Sequence, residues 1–129
     1  MSVNDPDARV LDTAVLDELR ASVEGDSVFV VDLVEAYLAD GADHVAEVAT
    51  ALDSVDAVAL VRPAHTLKSS SATVGAMRLA GMARELEMDG RAGTLEAASA
   101  GERATSVRTA WEEASAALRA WVAEEGQRG

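Results

Sequence analysis

The chain of 129 residues contains no cysteine, only two prolines, and aromatic residues at 3%. The lack of cysteine excludes disulfides, thiol catalysis and cysteine zinc sites, and it is typical of proteins in the cytoplasm. Because aromatic residues are so few, the hydrophobic 49% of the chain predicts a core built mainly from alanine, valine and leucine. A chain of this length and hydrophobic content is expected to bury a single core.

Basic residues are also scarce, since 11 lysines and arginines face 23 aspartates and glutamates, for a net charge of −12. This balance argues against nucleic acid and against anionic membrane surfaces, both of which attract clustered basic residues. No apolar run approaches the roughly 18 residues of a membrane-spanning helix, and the first residues lack the features of a signal peptide. We therefore expect a cytoplasmic protein that binds neither nucleic acid nor membrane.

The spacing of apolar residues is helical almost throughout, and strand patterns are nearly absent. Asp12 or Thr13 is predicted to cap a short helix that ends near Gly25, and Asp26 or Ser27 is predicted to begin a long one that closes at 53–54. Further helices are expected from Val55 to Val74, from Ala76 to Met88, and from a cap at Thr94 onwards, with a turn over 89–93. The expected inward positions are Val15, Leu16, Leu19; Val31, Val34, Leu38, Gly41, Val45, Val48, Leu52; Leu60, Ala64, Leu67, Ser71, Val74; Leu79, Met82, Leu86; and Val107, Trp111, Ala114, Leu118, Trp121.

These helices predict an all-α fold, an antiparallel four-helix bundle with a short additional N-terminal helix. Residues 1–10 are expected to be a disordered N-terminus, 11–125 a single domain, and 126–129 a frayed C-terminus. Four apolar faces suffice to close one core without a second subunit, so we expect a monomer with His65 exposed midway along a bundle helix.

Several kinds of chemistry are disfavoured by the sequence. The run Leu67-Lys68-Ser69-Ser70 lacks the glycine that precedes the lysine of a phosphate-binding P-loop. His44 and His65 lie 21 residues apart, which is not the spacing of paired metal ligands on a helix, and His44 falls off the apolar seam. Carboxylates are spread over the helix exteriors, as on ordinary solvated faces. No metal, nucleotide or other cofactor is therefore expected to bind this chain.

The most distinctive local feature is the pair formed by His65 and Lys68, the only lysine of the chain. Residues three apart lie on one face of a helix, so the ammonium and the imidazole are expected within side-chain reach of each other. Ala64, Ser69 and Ala72 are small neighbours that should leave the imidazole accessible to another protein. The arrangement predicts an imidazole that carries a negatively charged group.

The segment Ala64-His65-Thr66-Leu67-Lys68-Ser69-Ser70 resembles the signature Ala-His-x-Leu-Lys-Gly-Ser of histidine-containing phosphotransfer (HPt) domains. The similarity continues through 74–76, Leu79, 86–87 and the 90–93 segment, and upstream through 33–38, so that it covers roughly residues 10–125. The resemblance implies a stoichiometric phosphocarrier of two-component signalling without kinase activity of its own. It implies that His65 accepts a phosphoryl group from a receiver-domain aspartate, or from a sensor histidine kinase, and passes it to another receiver.

Carried over by position, Lys68 offsets the charge of the phosphoryl group, and the receiver domain supplies the Mg²⁺. Ser69 departs from the family's glycine, and it either narrows the approach to His65 or donates its hydroxyl to the phosphoryl group. Pro63 is a second unusual residue, because a proline inside a helix removes a backbone donor and costs about 3 kcal/mol. It either kinks the third helix or marks a restart in which Pro63 occupies the first turn.

Two other functions compete with the phosphocarrier. The same bundle is compatible with a phosphorylation-independent adaptor that binds a signalling partner through the face around His65. In either case we expect an apolar docking patch that combines small residues of the third helix with Val30, Leu33 and Tyr37 of the second. A kinase dimerisation fragment is less consistent with the sequence, because such fragments usually place an acidic residue directly after the histidine, where this chain has Thr66.

Overall fold

A computed structural model of the chain describes residues 9–128, and within this range it is built from helices without strands. The five helices are α1 (Thr13–Ser22), α2 (Ser27–Asp53), α3 (Ala57–Thr73), α4 (Met77–Ala92) and α5 (Ala97–Arg128). The last four form an antiparallel bundle in which α3 packs on α2 and α4, while α5 packs on α2 and α4. The predicted bundle with a short leading helix is confirmed.

Aspartates that immediately precede three of the helices cap their N-termini. The carboxylates of Asp12, Asp26 and Asp56 accept hydrogen bonds from the backbone N–H groups of Ala14, Phe29 and Ala59. Each bond satisfies one of the N–H groups that a helix leaves unpaired at its start. Short polar side chains at the predicted turns therefore set where α1, α2 and α3 begin.

The core consists almost entirely of aliphatic side chains, as the composition predicts. Fully buried residues include Leu16, Val34, Val48, Leu52, Leu60, Leu67, Leu79, Leu86, Val107 and Leu118. Tyr37 and Trp111 form its one aromatic contact in the described part of the chain, with ring centroids 5.5 Å apart. Gly41 lies under Trp111, and a Cβ atom at Gly41 would come within 2.5 Å of the indole ring. The glycine therefore makes room for the aromatic side chain between α2 and α5.

The third helix begins at Ala57, two residues later than predicted. Val55 has a φ of 49°, which a right-handed helix excludes, and the cap at Asp56 then starts the helix. Pro63 lies well inside this helix, so the predicted alternative of a restart with Pro63 in the first turn is wrong. Its ring is buried. Because proline has no backbone N–H, the helix lacks one hydrogen bond at this residue, and the bundle accommodates that loss.

The fourth helix is longer than predicted, because it continues to Ala92 through the segment expected to be a turn. Gly90 is a site of close helix approach, since a Cβ there would lie 3.0 Å from both Ala57 O and Val61 Cγ2 on α3. Gly93, with a φ of 70°, ends the helix. The predicted cap at Thr94 is also wrong, because α5 starts at Ala97 and the Thr94 hydroxyl donates to Asp89 instead.

The short first helix is fastened across one end of the bundle. The backbone N–H of Asp12 donates to Gly75 O at 2.8 Å, and a Cβ at Gly75 would come within 2.5 Å of Asp12 O. At the other end of α1, Arg20 pairs with the buried Glu125 of α5, which also accepts a hydrogen bond from Ser27. These contacts tie together α1, the turn between α3 and α4, and the last turns of α5.

The predicted chain ends fall partly outside the described range. Residues 1–8, most of the predicted disordered N-terminus, and Gly129 lie outside it, while Arg9 already accepts a backbone hydrogen bond from Arg78. The segment 126–129 predicted to fray overlaps the last turn of α5, which extends to Arg128. Among the described residues, none of the helices has the length and hydropathy needed to cross a membrane.

Gly41→Ala should destabilise the fold, because the added methyl group would overlap the indole ring of Trp111. Overpacking of this kind costs about 1–3 kcal/mol in unfolding free energy. Gly101→Ala is the matched control, since a Cβ there meets nothing within 4 Å, and it should stabilise α5 by about 0.5–1 kcal/mol. Urea unfolding followed by circular dichroism measures both. Equal stability of the two variants would contradict the packing of Trp111 on Gly41.

Candidate functional site

His65 lies near the middle of α3, on the side that borders α4. Its side chain is 53% exposed, although its neighbour Ala64 is buried in the core. The residues one turn away on the same stripe of the helix, Arg62 and Ser69, are also exposed, as is Ala72. The accessibility predicted for the imidazole is therefore present in the structure, and it results from small or outward-directed neighbours.

A glutamate from α4 holds the imidazole. Nδ1 of His65 lies 2.9 Å from Oε2 of Glu87, the distance of a hydrogen bond. The same oxygen accepts a hydrogen bond from Nε of Arg91 at 2.9 Å, and it forms an ion pair with Nη2 of Arg91 at 2.8 Å. Nζ of Lys68 forms an ion pair with the other oxygen, Oε1, at 2.7 Å. One carboxylate thus contacts a histidine, a lysine and an arginine from two helices.

Glu87 remains ionised although its side chain is only 7% exposed. Lys68 is the largest cause that lowers the pKa of this carboxyl, from 4.5 to about 2, with further contributions from Arg91 and His65. Burial acts in the opposite direction, because it disfavours the charged form. The cationic neighbours outweigh burial, so Glu87 is a carboxylate at neutral pH.

The ionised carboxylate decides which imidazole nitrogen carries the proton. A carboxylate only accepts hydrogen bonds, so a neutral His65 must bear its proton on Nδ1 in order to donate to Glu87. The other nitrogen, Nε2, then keeps its lone pair. The bond to Glu87 also restrains the ring, and Nε2 is the ring nitrogen without a hydrogen-bond partner among the described residues, on a side chain that is 53% exposed.

Lys68 and Ser69 occupy different environments within this site. Lys68 is on the same face as His65, as predicted, but its ammonium is engaged by Glu87 and its side chain is 32% exposed. Ser69 is exposed, and within residues 9–128 its hydroxyl makes no hydrogen bond. In contrast, the hydroxyl of the next residue, Ser70, donates back to Thr66 O at 2.9 Å. The Ser69 hydroxyl is therefore available to a group bound at His65.

The second histidine is remote from this arrangement. His44 lines a groove between α2 and α3 together with Asp40 and Thr66, and its Nδ1 lies 3.4 Å from Oε1 of Glu47 on the same helix. The pair is charged only when the histidine is protonated. Nothing brings His44 into contact with His65 or Lys68.

The predicted apolar docking patch needs correction. Val30 is fully buried, and Tyr37 is 6% exposed with its hydroxyl 2.7 Å from Ser71 Oγ, so both belong to the core. Val31, predicted for the seam, is partly buried and packs against the core, while its neighbour Val30 is fully buried. Leu33 is partly exposed and stays available, as does Ala72.

Glu87 and Arg91 were not identified as site residues from the sequence. A usable signal was present, because Glu87 shares its buried stripe on α4 with Ala80, Ala83 and Gly90. An acidic residue on such a stripe requires a partner to remain charged. His65 and Lys68, one turn apart on another helix, were the candidates for that partner.

Comparisons with known proteins decide the family. The family model described as "Hpt domain" matches residues 32–121. The chain belongs to the Hpt domain family. Among solved structures it is similar to the crystal structure of histidine-containing phosphotransfer protein B (HptB) from Pseudomonas aeruginosa PAO1, with a TM-score of 0.73 and 30% sequence identity over 95% of this chain and 98% of that chain. No match was found among curated proteins.

Membership of the Hpt family assigns the chain to phosphotransfer in two-component signalling. Hpt domains interact with receiver domains and histidine kinases in phosphorelays, and they act as phosphocarriers. The arrangement around His65 is consistent with this assignment, because the half-exposed imidazole bonds to Glu87 through Nδ1 alone, and two cations contact the same carboxylate.

The low pKa of Glu87 predicts an acid-sensitive contribution to stability. A carboxyl with a folded pKa of about 2 and an ordinary value of 4.5 stabilises the fold fully above pH 4.5, and this contribution is lost as the pH falls towards 2. Glu87→Gln lacks the titrating group, so the difference in unfolding free energy between wild type and variant should shrink through this window. Denaturant titrations at a series of pH values measure it. A difference independent of pH over this window would contradict the ion pairs of Glu87.

Proposed function

We propose that His65 is the phosphoacceptor of a phosphorelay, and that Nε2 is the atom phosphorylated. The observation that carries the proposal is the hydrogen bond from Nδ1 to the ionised Glu87, which leaves Nε2 exposed with a free lone pair. A phosphorylation-independent adaptor would need neither a restrained tautomer nor two cations beside the ring. The geometry therefore supports the phosphocarrier better than the adaptor.

The proposed reaction moves a phosphoryl group between an aspartate and the imidazole. The lone pair of Nε2 attacks the phosphorus of a receiver's aspartyl phosphate, a P–N bond forms, and the P–O bond to the aspartate breaks. The aspartate leaves as a carboxylate, and the imidazole ring gains positive charge that the Glu87 carboxylate offsets through Nδ1–H. Transfer to the next receiver is the reverse of these steps, so the proton on Nδ1 never has to leave.

Charge at the site favours a phosphoryl group. Glu87 contributes one negative charge, while Lys68 and Arg91 contribute two positive charges, so the three side chains carry one excess positive charge. When the phosphoryl group arrives at Nε2, Lys68 can share its ammonium between Oε1 of Glu87 and a phosphoryl oxygen. The cations thus hold the glutamate first and then stabilise the product.

The chain itself requires no metal or nucleotide in this scheme. We expect the partner receiver domain to supply the Mg²⁺ that neutralises charge on the transferring group, together with the aspartate. The expected partners are receiver domains, a sensor histidine kinase, or both, and the chain acts as a monomeric carrier without kinase activity of its own. A cytoplasmic location, where such partners reside, is part of this proposal.

His65→Gln should abolish phosphorylation, because the variant keeps a polar side chain of similar size but has no imidazole nucleophile. His44→Gln is the matched control and should leave both the rate and the extent unchanged, since His44 lies in a different groove. The assay is incubation with a phosphorylated receiver followed by measurement of acid-labile, alkali-stable phosphate. A His65→Gln protein that still acquires such phosphate would sink the assignment of His65.

Lys68→Ala should slow phosphorylation without preventing it. A partly exposed charge near a phosphoryl group is worth about 1–2 kcal/mol after solvent screening, or roughly ten-fold in rate. The rate constant of single-turnover transfer from a phosphorylated receiver measures the effect. Lys68→Arg, which keeps the charge, should recover part of the rate. An unchanged rate in Lys68→Ala would show that Lys68 serves only to hold Glu87.

Ser69→Ala and Ser69→Gly should both slow transfer, because each removes a free hydroxyl located one turn after His65. A hydrogen bond to a charged group contributes about 1.5–3 kcal/mol when well formed, so a slowing of several-fold is expected for this exposed serine. Ser69→Gly should also weaken the helix, whereas Ser69→Ala should not. Faster transfer in Ser69→Gly would instead show that the serine, which stands where the family has glycine, obstructs the approach to His65.

A further inference from the structure

One exposed stripe of α3 runs through His65 in both directions. Before His65 it contains Val58, seven residues away, and Arg62, three residues away. After His65 it contains Ser69 and Ala72, four and seven residues away. All four residues are exposed. At 1.5 Å per residue the stripe from Val58 to Ala72 is about 21 Å long. A standard protein interface buries about 800 Å² on each partner. A partner centred on His65 therefore covers both ends of the stripe.

The two halves of the stripe differ in chemistry. After His65 the exposed stripe residues, Ser69 and Ala72, are small and uncharged. Before it lies a shallow cavity of about 540 Å³ between α3 and α4, lined by Val58, Val61, Arg62, Gly90 and Arg91, which we call the upstream patch. Val58 is 85% exposed, more than any other large hydrophobic residue in the described part of the chain. The patch combines an uncovered aliphatic surface with two guanidinium groups.

In the part of the chain that the structure describes, Arg62 is unpaired, as Arg84 and Arg119 also are, but of these three arginines it alone lies on the stripe through His65. Within residues 9–128 no carboxylate lies within 4 Å of its guanidinium, although aspartates and glutamates outnumber basic residues two to one. Glu47 and Asp56 line the neighbouring groove with Arg62, but neither pairs with it. Glu47 instead lies 3.4 Å from His44. An arginine left unpaired among so many carboxylates is available to an acid on another molecule.

We propose that the upstream patch is a docking site for an acidic segment of the receiver domain, one that places a carboxylate against Arg62 and an aliphatic side chain against Val58. This inference rests on the proposed function, since it assumes that the receiver approaches His65. The patch lies on one side of the phosphoacceptor only, so it orients the receiver along α3. Its basic charge also provides local attraction to an acidic partner that the net charge of −12 would otherwise repel.

The test compares transfer from a phosphorylated receiver with phosphorylation by phosphoramidate, a small donor that needs no docking. Arg62→Glu should lower the second-order rate constant for the receiver about ten-fold at low salt, and the deficit should shrink at high salt as the charges are screened. Val58→Ser should lower it about three-fold at every salt concentration. Arg119→Glu, which introduces the same change at an exposed position of α5, should have little effect. All variants should react with phosphoramidate at the wild-type rate.

Three outcomes would overturn the docking site. Arg62→Glu could match Arg119→Glu in the receiver reaction, or it could lose the phosphoramidate reaction equally, which would place Arg62 in the chemistry. Sedimentation could also show a wild-type dimer that Val58→Ser dissociates, which would make the patch a contact between copies of this chain. Failure of the proposed function is distinguishable, because then either the wild type would take up no phosphate from the receiver, or His65→Gln would take it up as well, whatever stands at position 62.

Discussion

The buried carboxylate of Glu87 is the interaction on which the rest of the site depends. It joins α3 to α4 by contacting His65, Lys68 and Arg91 at distances between 2.7 and 2.9 Å. A charge on a largely buried side chain is tolerated only when it is paired and hydrogen-bonded, and here the partners are the groups that phosphoryl chemistry needs. The ion pairs that keep Glu87 charged also orient the imidazole and hold two cations beside it. Stability and proposed function therefore come from the same contacts.

The bundle positions these groups through close helix packing. Gly90 allows α4 to approach the first turns of α3, and Gly75 allows α1 to lie against the turn between α3 and α4. In both places an added methyl group would lie 3.0 Å or less from a backbone oxygen. A backbone atom, unlike a side chain, cannot relieve such a contact by changing its rotamer. In the proposed mechanism this close packing of α3 and α4 orients the imidazole before a partner arrives, as electrostatic preorganisation requires.

Much of the fold could be predicted from the sequence, because helical periodicity and aspartate caps are local signals. The predicted helix ends were wrong where the same residue type serves either a local turn or cap or a contact with another part of the chain. Gly90 resembled a turn glycine, yet it serves helix contact, and Thr94 resembled a cap, yet its hydroxyl binds Asp89. His65 and Lys68 could be predicted as a site because they are neighbours on one helix. The small residues that share a stripe with Glu87 indicate that this glutamate needs a partner, but the partner's identity depends on how α4 packs on α3, which no local pattern encodes.

In the proposed mechanism, Glu87 holds the proton on Nδ1 so that Nε2 of His65 becomes phosphorylated. It is tested most directly by ¹⁵N-labelling the histidines and recording long-range ¹H–¹⁵N correlations of the imidazole before and after phosphorylation by a receiver. We expect an Nδ1–H tautomer in the free protein and phosphorus coupling at Nε2 after phosphorylation. A phosphoryl group on Nδ1, or a free protein with its proton on Nε2, would contradict it.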